Sequence, residues 1–421
     1  MAGRTAGRRP VTADTKAAAG ARATAWLGKP GIICALGRGI GAVAQAALRG
    51  DAAGMLAQDG WIAGKRIVVG MAAADLPALP AGMPSHYDSR NNRLLMDAAI
   101  QIEPALRGAI RRHGACRVAI VLGSSTSGVS ENAAAYRTLA AEGVWPPEYD
   151  YRRQALASPA AFLSDWLGTT GPAYTLSTAC TSSARALLSA KRLLAMGACD
   201  AVICGGVDAL CPLTINGFAA LEALAAGLCN PFSAHRDGIN IGEGAALFLV
   251  ERERPDTEAV ALLGGGGSSD AWHMSAPDPT GAGAARAMRA ALADAGIDAG
   301  QVGWINLHGT ATPHNDAMES QAVRDVFPSD VLCASTKPLT GHTLAAAGAI
   351  EAALCWAVVA GSCLDGRLPP HRWDGVADPA LPALCMTQPG QRLPAGRPRI
   401  VLSNSFAFGG SNAALVFGDQ P

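Results

Sequence analysis

A single cysteine set among small residues is the first feature with chemical potential. Residues 176–184 read L-S-T-A-C-T-S-S-A, and a helix-like stretch follows directly. A thiolate at a helix N-terminus is stabilised by backbone N–H groups and by the helix dipole. Small neighbours let a substrate carbonyl approach, and N–H groups at such a turn can hold an oxyanion. Most cysteines are buried structural residues, and the others in this chain read that way. A second segment, residues 306–312, reads N-L-H-G-T-A-T. A lone histidine is usually structural, but His308 follows an apolar strand, and strand ends are where α/β folds build sites. Thr310 and Thr312 alternate, so both hydroxyls can face one side and suit a polar, extended substrate arm.

A third segment, residues 335–351, reads S-T-K-P-L-T-G-H-T-L-A-A-A-G-A-I-E. His342 sits near a helix start, which disfavours its protonated form and keeps a neutral imidazole for donor or base chemistry. Glu351 lies inside an otherwise apolar helix, so it needs a partner, and Lys337 is the candidate. The alternative is a surface Lys and a capping His. The fourth segment, residues 403–412, reads S-N-S-F-A-F-G-G-S-N. Alone it reads as a glycine turn before a last strand over residues 413–417.

The elements that must position these residues alternate. Strands are predicted over residues 117–122, 201–204 (stopped by Gly205 and Gly206), 245–250, 304–307, 331–334 and 400–403. Helices are predicted over 182–196, 284–295 (ended by Gly296) and 344–359. This is an α/β architecture with buried sheets. The run Gly264–Gly267 marks a turn or a close backbone approach. The charged residues 251–258 are the seam between two halves, expected over 30–253 and 254–421. Residues 1–29, rich in Ala and Arg, read as a mobile tail running into a first strand; they are poor in Ser, which counts against a transit peptide.

Composition narrows the class. Of 421 residues, 49% are hydrophobic and 16% charged, a core-rich globular balance. Lys plus Arg equals Asp plus Glu, 34 each, so no global charge draws the chain to nucleic acid or anionic membrane. The 11 Cys contain no C-x-x-C pair, which argues against disulfides and zinc and fits a reducing cytoplasm. No apolar stretch is long enough for a membrane span.

Together, in this order, the four segments resemble the elongating β-ketoacyl-acyl carrier protein synthases. Residues 229–244 (C-N-P-F-S-A-H-R-D-G-I-N-I-G-E-G) and 269–276 (S-D-A-W-H-M-S-A) add to the match, which runs from about residue 123 to 417. The resemblance implies a thiolase-like layered α/β/α/β/α fold made of two similar halves. It implies that Cys180 carries the acyl chain as a thioester, with His308 and His342 as catalytic histidines and Lys337 with Glu351 ordering the site. It implies an oxyanion hole from the N–H groups of Cys180 and Phe408, with Phe408 as gate, and a phosphopantetheine arm held by Thr310 and Thr312. No metal or diffusible cofactor is implied; the phosphopantetheine arrives on an acyl carrier protein. The family works as dimers, and whether this chain forms a homodimer or a heterodimer is left open.

Subclass markers and departures refine this. Starter enzymes usually carry Asn where His342 stands, thiolases use a second Cys, and chain-length partner subunits generally lack the nucleophile. A non-catalytic partner subunit and a cysteine hydrolase remain the competing readings, the latter leaving the second histidine without a role. Ala407 stands where the family usually has Gly, which costs energy if the position needs positive φ. Thr126 falls where relatives often place a larger apolar residue limiting chain length, which points to a chain other than plain alkyl. Residues 87–95 and the G-I-I-C-A-L-G start resemble the synthases of aryl polyene pathways.

Overall fold

The computed structural model describes residues 25–72 and 75–420. Two sets of strands repeat one plan. The first set is β1 (Gly31–Cys34), β2 (Val118–Gly123), β3 (Ala173–Leu176), β4 (Ala201–Asp208) and β5 (Gly244–Glu251). The second is β6 (Val260–Ser269), β7 (Trp304–Asn306), β8 (Leu332–Ala334), β9 (Ile400–Phe406) and β10 (Ser411–Gly418). Their spatial orders are β3-β2-β4-β5-β1 and β8-β7-β9-β10-β6. In each, the second strand pairs parallel with the third and fourth, and the fifth pairs antiparallel with the fourth and first.

The helices repeat as well. α1 (Arg90–His113) and α4 (Ala282–Ala295) follow the first strand of each set. α2 (Ser158–Leu167) and α5 (Pro313–Val326) follow the second. α3 (Ser182–Ala195) and α6 (Ala347–Val359) follow the third. The strands are apolar on both faces, so alternate residues serve different cores. In β2, Ala119 and Val121 join a middle core, while Val118, Ile120 and Leu122 face α1 and α2. In β10, Ala413, Leu415 and Phe417 join the same middle core, while Ala414 and Val416 face α4 and α5. The middle core holds α3 and α6 between the two strand sets, giving the five expected layers.

Every residue of α6 is buried, which is why its sequence is apolar all round except for the ion-paired Glu351. It crosses α3 closely. A Cβ on Gly348 would meet the Ala184 nitrogen at 2.8 Å, and the Ala349 N–H donates to Ser183 Oγ at 2.9 Å. That crossing sets the distance between the turns that precede the two helices.

Several expectations need correction. β4 runs through Gly205 and Gly206 instead of stopping there, because these glycines serve packing: a Cβ on Gly205 would meet the Ala246 carbonyl oxygen at 2.0 Å. Gly264–Gly267 is strand, not turn. Cβ atoms on Gly264 and Gly266 would meet the Ala291 and Ala287 carbonyl oxygens of α4 at 2.4 and 2.0 Å, so the run is a close approach. The expected tail ends early: Ala25–Leu27 is a buried strand pairing with both β5 and β6. The rest of that tail, residues 1–24, lies outside the described residues. Among the described residues no helix is long and apolar enough to cross a membrane.

Candidate active site

The nucleophile turn is locked by its own hydroxyls. The Thr178 N–H donates to Ser182 Oγ (2.8 Å), Ser182 Oγ donates to the Ala179 carbonyl (2.6 Å), and Thr181 Oγ1 donates to the Thr178 carbonyl (2.7 Å). Ala179 is held at φ 50°, a strained value for a residue with a Cβ. The strain presents Cys180 at the floor of a cavity of about 480 Å³, which Thr310, Thr312, His308, His342 and Phe408 also line.

His342 Nε2 lies 2.9 Å from Cys180 Sγ. The His308 and His342 rings meet edge to face, 5.2 Å apart. Lys337 Nζ reaches His308 Nδ1 at 3.3 Å and Glu351 Oε1 at 2.5 Å. An ammonium only donates, so His308 Nδ1 accepts and its proton sits on Nε2. The expected Lys337–Glu351 pair is present and buried. His342 is held by its backbone: its N–H donates to the Asn240 carbonyl (2.7 Å) and its carbonyl accepts from Gly242 (2.9 Å). Gly341 permits this with φ 68°, since its neighbour Gly242 approaches to 2.8 Å of where a Cβ would stand. Thr310 Oγ1 and Thr312 Oγ1 lie 3.0 Å apart, on one side as anticipated.

The electrostatics correct two expectations. Burial pushes the Cys180 thiol up to about 12, so the helix start does not by itself yield a thiolate. Lys337 and the backbone N–H groups of Cys180 and Phe408 pull the other way. His308 and His342 are held well below the usual imidazole value, His342 by burial and then Lys337, His308 by burial, Lys337 and His342. Both are neutral at pH 7, as expected for His342, but for a different reason: Leu344–Ala346 is a 3-10 turn and α6 begins only at Ala347. Ala407 lies outside the left-handed region, so it costs nothing here, whereas Gly409 and Gly410 adopt φ 82° and 77°.

Thr126 is not on the wall of the Cys180 cavity. Its hydroxyl donates to the buried Asp208 (2.8 Å), so its polarity is used within the fold. Asp208 also accepts from Ser124 Oγ (3.1 Å), Ser125 N–H (2.8 Å) and Ala345 N–H (2.8 Å), tying this loop to the turn after His342.

Sequence reasoning missed Glu319 and Asp316. Glu319 accepts from the N–H groups of His308 (2.8 Å) and Gly309 (2.7 Å) and fixes the histidine turn. Asp316 accepts from Phe232 and Ala311. Their spacing of one helical turn, directly after H-G-T-A-T, is the signal that could have found them. Burial raises Glu319 to about 7 from 4.5. The native state therefore holds this proton longer than the unfolded chain does. The stability it confers is full below about pH 4.5 and is lost as pH rises through about 7, a span of about 3 kcal/mol. Thermal melting across pH 4.5 to 7.5 should show this slope. In Glu319→Gln the slope should shrink, and an unchanged slope would remove Glu319 as its source.

A buried thiol that can carry an acyl group, with neutral imidazoles beside it on a doubled frame, belongs to the thiolase-like acyltransferases. Residues 96–255 match the family profile "Beta-ketoacyl synthase, N-terminal domain" and residues 260–368 match "Beta-ketoacyl synthase, C-terminal domain". The chain belongs to the beta-ketoacyl synthase family, whose members are condensing acyltransferases. It is 34% identical to nodulation protein E of Rhizobium meliloti over 83% of this chain and 88% of that protein. It is 30% identical to 3-oxoacyl-[acyl-carrier-protein] synthase 2 of Vibrio cholerae, covering 73% and 77%. Among solved structures, the ketosynthase ApeO from Xenorhabdus doucetiae, in complex with its chain length factor ApeC, superimposes with a TM-score of 0.87. It is 45% identical, covering 94% of this chain and 98% of that one.

Proposed function

We propose that this chain performs the decarboxylative Claisen condensation of malonyl-acyl carrier protein with an acyl group held on Cys180. The observation that carries the reading is His342 Nε2 at 2.9 Å from Cys180 Sγ, with His308 edge to face beside it, in one cavity that Phe408 also lines. In the first half-reaction Sγ attacks the thioester carbonyl of an acylated carrier protein. The Cys180 proton leaves on the carrier's phosphopantetheine thiol, and the chain remains as a thioester. In the second, malonyl thioester loses carbon dioxide. The enolate oxygen is held by His308 Nε2–H and by His342 in the tautomer protonated at Nε2. The enolate carbon attacks the Cys180 thioester, whose oxyanion the two N–H groups hold, and collapse expels the thiolate and a chain two carbons longer. Thr310 and Thr312 bind the phosphopantetheine arm, and Phe408, 5.5 Å from Phe218, gates the cavity.

The partners are an acyl carrier protein and a second, related synthase subunit, identical or not, in the cytoplasm. Identity to a ketosynthase solved with its chain length factor, and the subgroup resemblance of residues 87–95, support a chain of the aryl polyene type. A non-catalytic partner subunit fits less well, because the nucleophile and both histidines are in place. The test is intact mass after incubation with a panel of acyl-carrier proteins, then product analysis after adding malonyl-carrier protein. A thioester mass shift absent in Cys180→Ala, followed by a product two carbons longer, is expected. No acylation by any donor, with a related subunit present, would overturn the reading.

A further inference from the structure

The two loops over the cavity leave the same strand pair. β6 and β10 run antiparallel with Ser268 opposite Asn412 and Ser269 opposite Ser411. Beyond that point one chain departs as residues 270–277 and the other arrives as residues 407–410, and both contribute to the cavity wall. The loops hold each other. The Asp270 N–H donates to the Gly410 carbonyl (2.8 Å), the Gly409 N–H to the Met274 carbonyl (2.9 Å), and Asn412 Nδ2 to Asp270 Oδ1 (2.7 Å). A Cβ on Gly410 would stand 2.9 Å from Asp270 Cβ, so they are packed as well as bonded. One of these loops carries Phe408, which lines the cavity with Cys180 and whose N–H lowers the thiol's pKa.

One side chain meets this pair at its root. Arg185, on α3 one turn and a half beyond Cys180, donates through Nε to Ser411 Oγ (3.0 Å) and through Nη2 to the carbonyls of Ser268 (3.0 Å) and Asn412 (3.2 Å). None of these acceptors is a carboxylate. A half-buried guanidinium spent on neutral oxygens is a costly arrangement, and a planar fork is the group that reaches three fixed acceptors at once. Ser411 Oγ also lies 3.0 Å from Thr181 Oγ1. Thr181 already donates its hydrogen to the Thr178 carbonyl, so Ser411 supplies the hydrogen of this bond. A path of hydrogen bonds therefore runs from the residue after the nucleophile, through Ser411, to Arg185 and both loop roots.

We propose that Arg185 is a positioning residue: it fixes the common root of the two cavity loops to the nucleophile helix, so that the Phe408 N–H stays registered on Cys180 while the loop tips admit substrate. This rests on the condensing reading above. Loss of the pin leaves the thiol and the histidines in place but lets the loop carrying Phe408 drift. Water then reaches the acyl-enzyme, and hydrolysis, giving free acid and free thiol, competes with condensation.

The experiment loads the enzyme with an acyl chain on Cys180, adds malonyl-carrier protein, and measures by mass spectrometry the ratio of condensed product to free acid. Arg185→Gln and Ser411→Ala are compared with wild type, Arg185→Lys serving as conservative partial rescue. The ratio is expected to fall about tenfold in Arg185→Gln and in the same direction in Ser411→Ala, with Arg185→Lys between, since one misplaced donor or a small misplacement costs that much or more. Because it is a ratio within one loaded population, a general loss of folded protein does not move it. If Arg185→Gln does not fold, Ser411→Ala decides. A wild-type ratio in the folded variants overturns the proposal while leaving the condensing reading standing; a wild-type enzyme that never loads removes that reading instead.

Discussion

Replacing Cys180 by Gln is expected to reduce condensation by about a thousandfold or more while malonyl decarboxylation continues. Without the thiol there is no thioester for the enolate to attack, so the first half-reaction is lost. The second begins with a different set of groups. His308 keeps its proton on Nε2 because Lys337 still donates to Nδ1, and His342 is still held by Asn240 and Gly242. The Gln amide also sets a carbonyl oxygen near the Cys180 and Phe408 N–H groups, where a thioester oxygen would sit. The variant should resemble the acylated enzyme and release carbon dioxide from malonyl-carrier protein at a rate at or above wild type. Released carbon dioxide and the acetyl-carrier product are the readouts. Loss of decarboxylation in a folded Cys180→Gln protein would count against the roles given to the histidines.

Lys337→Met should be the most damaging change to the fold near the site. Lys337 and Glu351 are both almost fully buried and make one ion pair in the middle core. Removing one partner strands the other, which costs about 3–5 kcal/mol by the usual behaviour of such pairs. The double variant Lys337→Met with Glu351→Leu removes both charges and should recover most of that loss in chemical denaturation. Activity should not return with it. His308 Nδ1 loses its donor in both variants, and the imidazole is no longer held with its proton on Nε2. Recovered stability without recovered condensation separates the pair's contribution to the fold from its contribution to the site. If the double variant regains activity, Lys337 does not set the histidine.

The chemistry was largely legible in advance. Cys180, His308, His342 and the Lys337–Glu351 pair stood out because a reactive or charged residue among small and apolar ones has few uses. The alternation of strands and helices was legible too, since short continuous apolar runs between Ala-rich helical stretches leave little choice. Glycine misled where its use was packing between elements distant in sequence, as at Gly205 and Gly264. The bond from Thr126 to Asp208 was out of reach because the two are 82 residues apart. The neutral state of His342 was anticipated from a helix dipole, yet burial and Lys337 cause it, and both depend on the assembled core. Glu319 and Asp316 were passed over because a polar stretch opening a helix reads as a solvated face. Arg185 was passed over for the same reason.

The doubled plan bears on how the site comes into being. Cys180 stands on the approach to α3 and His342 on the approach to α6, the same place in each repeat, and the close crossing at Gly348 brings the two turns together. Sulfur and imidazole are thus counterparts, one from each copy of a shared plan, specialised differently. Neither copy holds a reaction centre of its own. During synthesis the nucleophile's half emerges first, but it meets its histidines only after the other half has been made and docked. A nascent chain therefore carries an inert thiol from the synthesis of Cys180 until His342 has been made and docked, and chemistry begins as a late event of tertiary assembly.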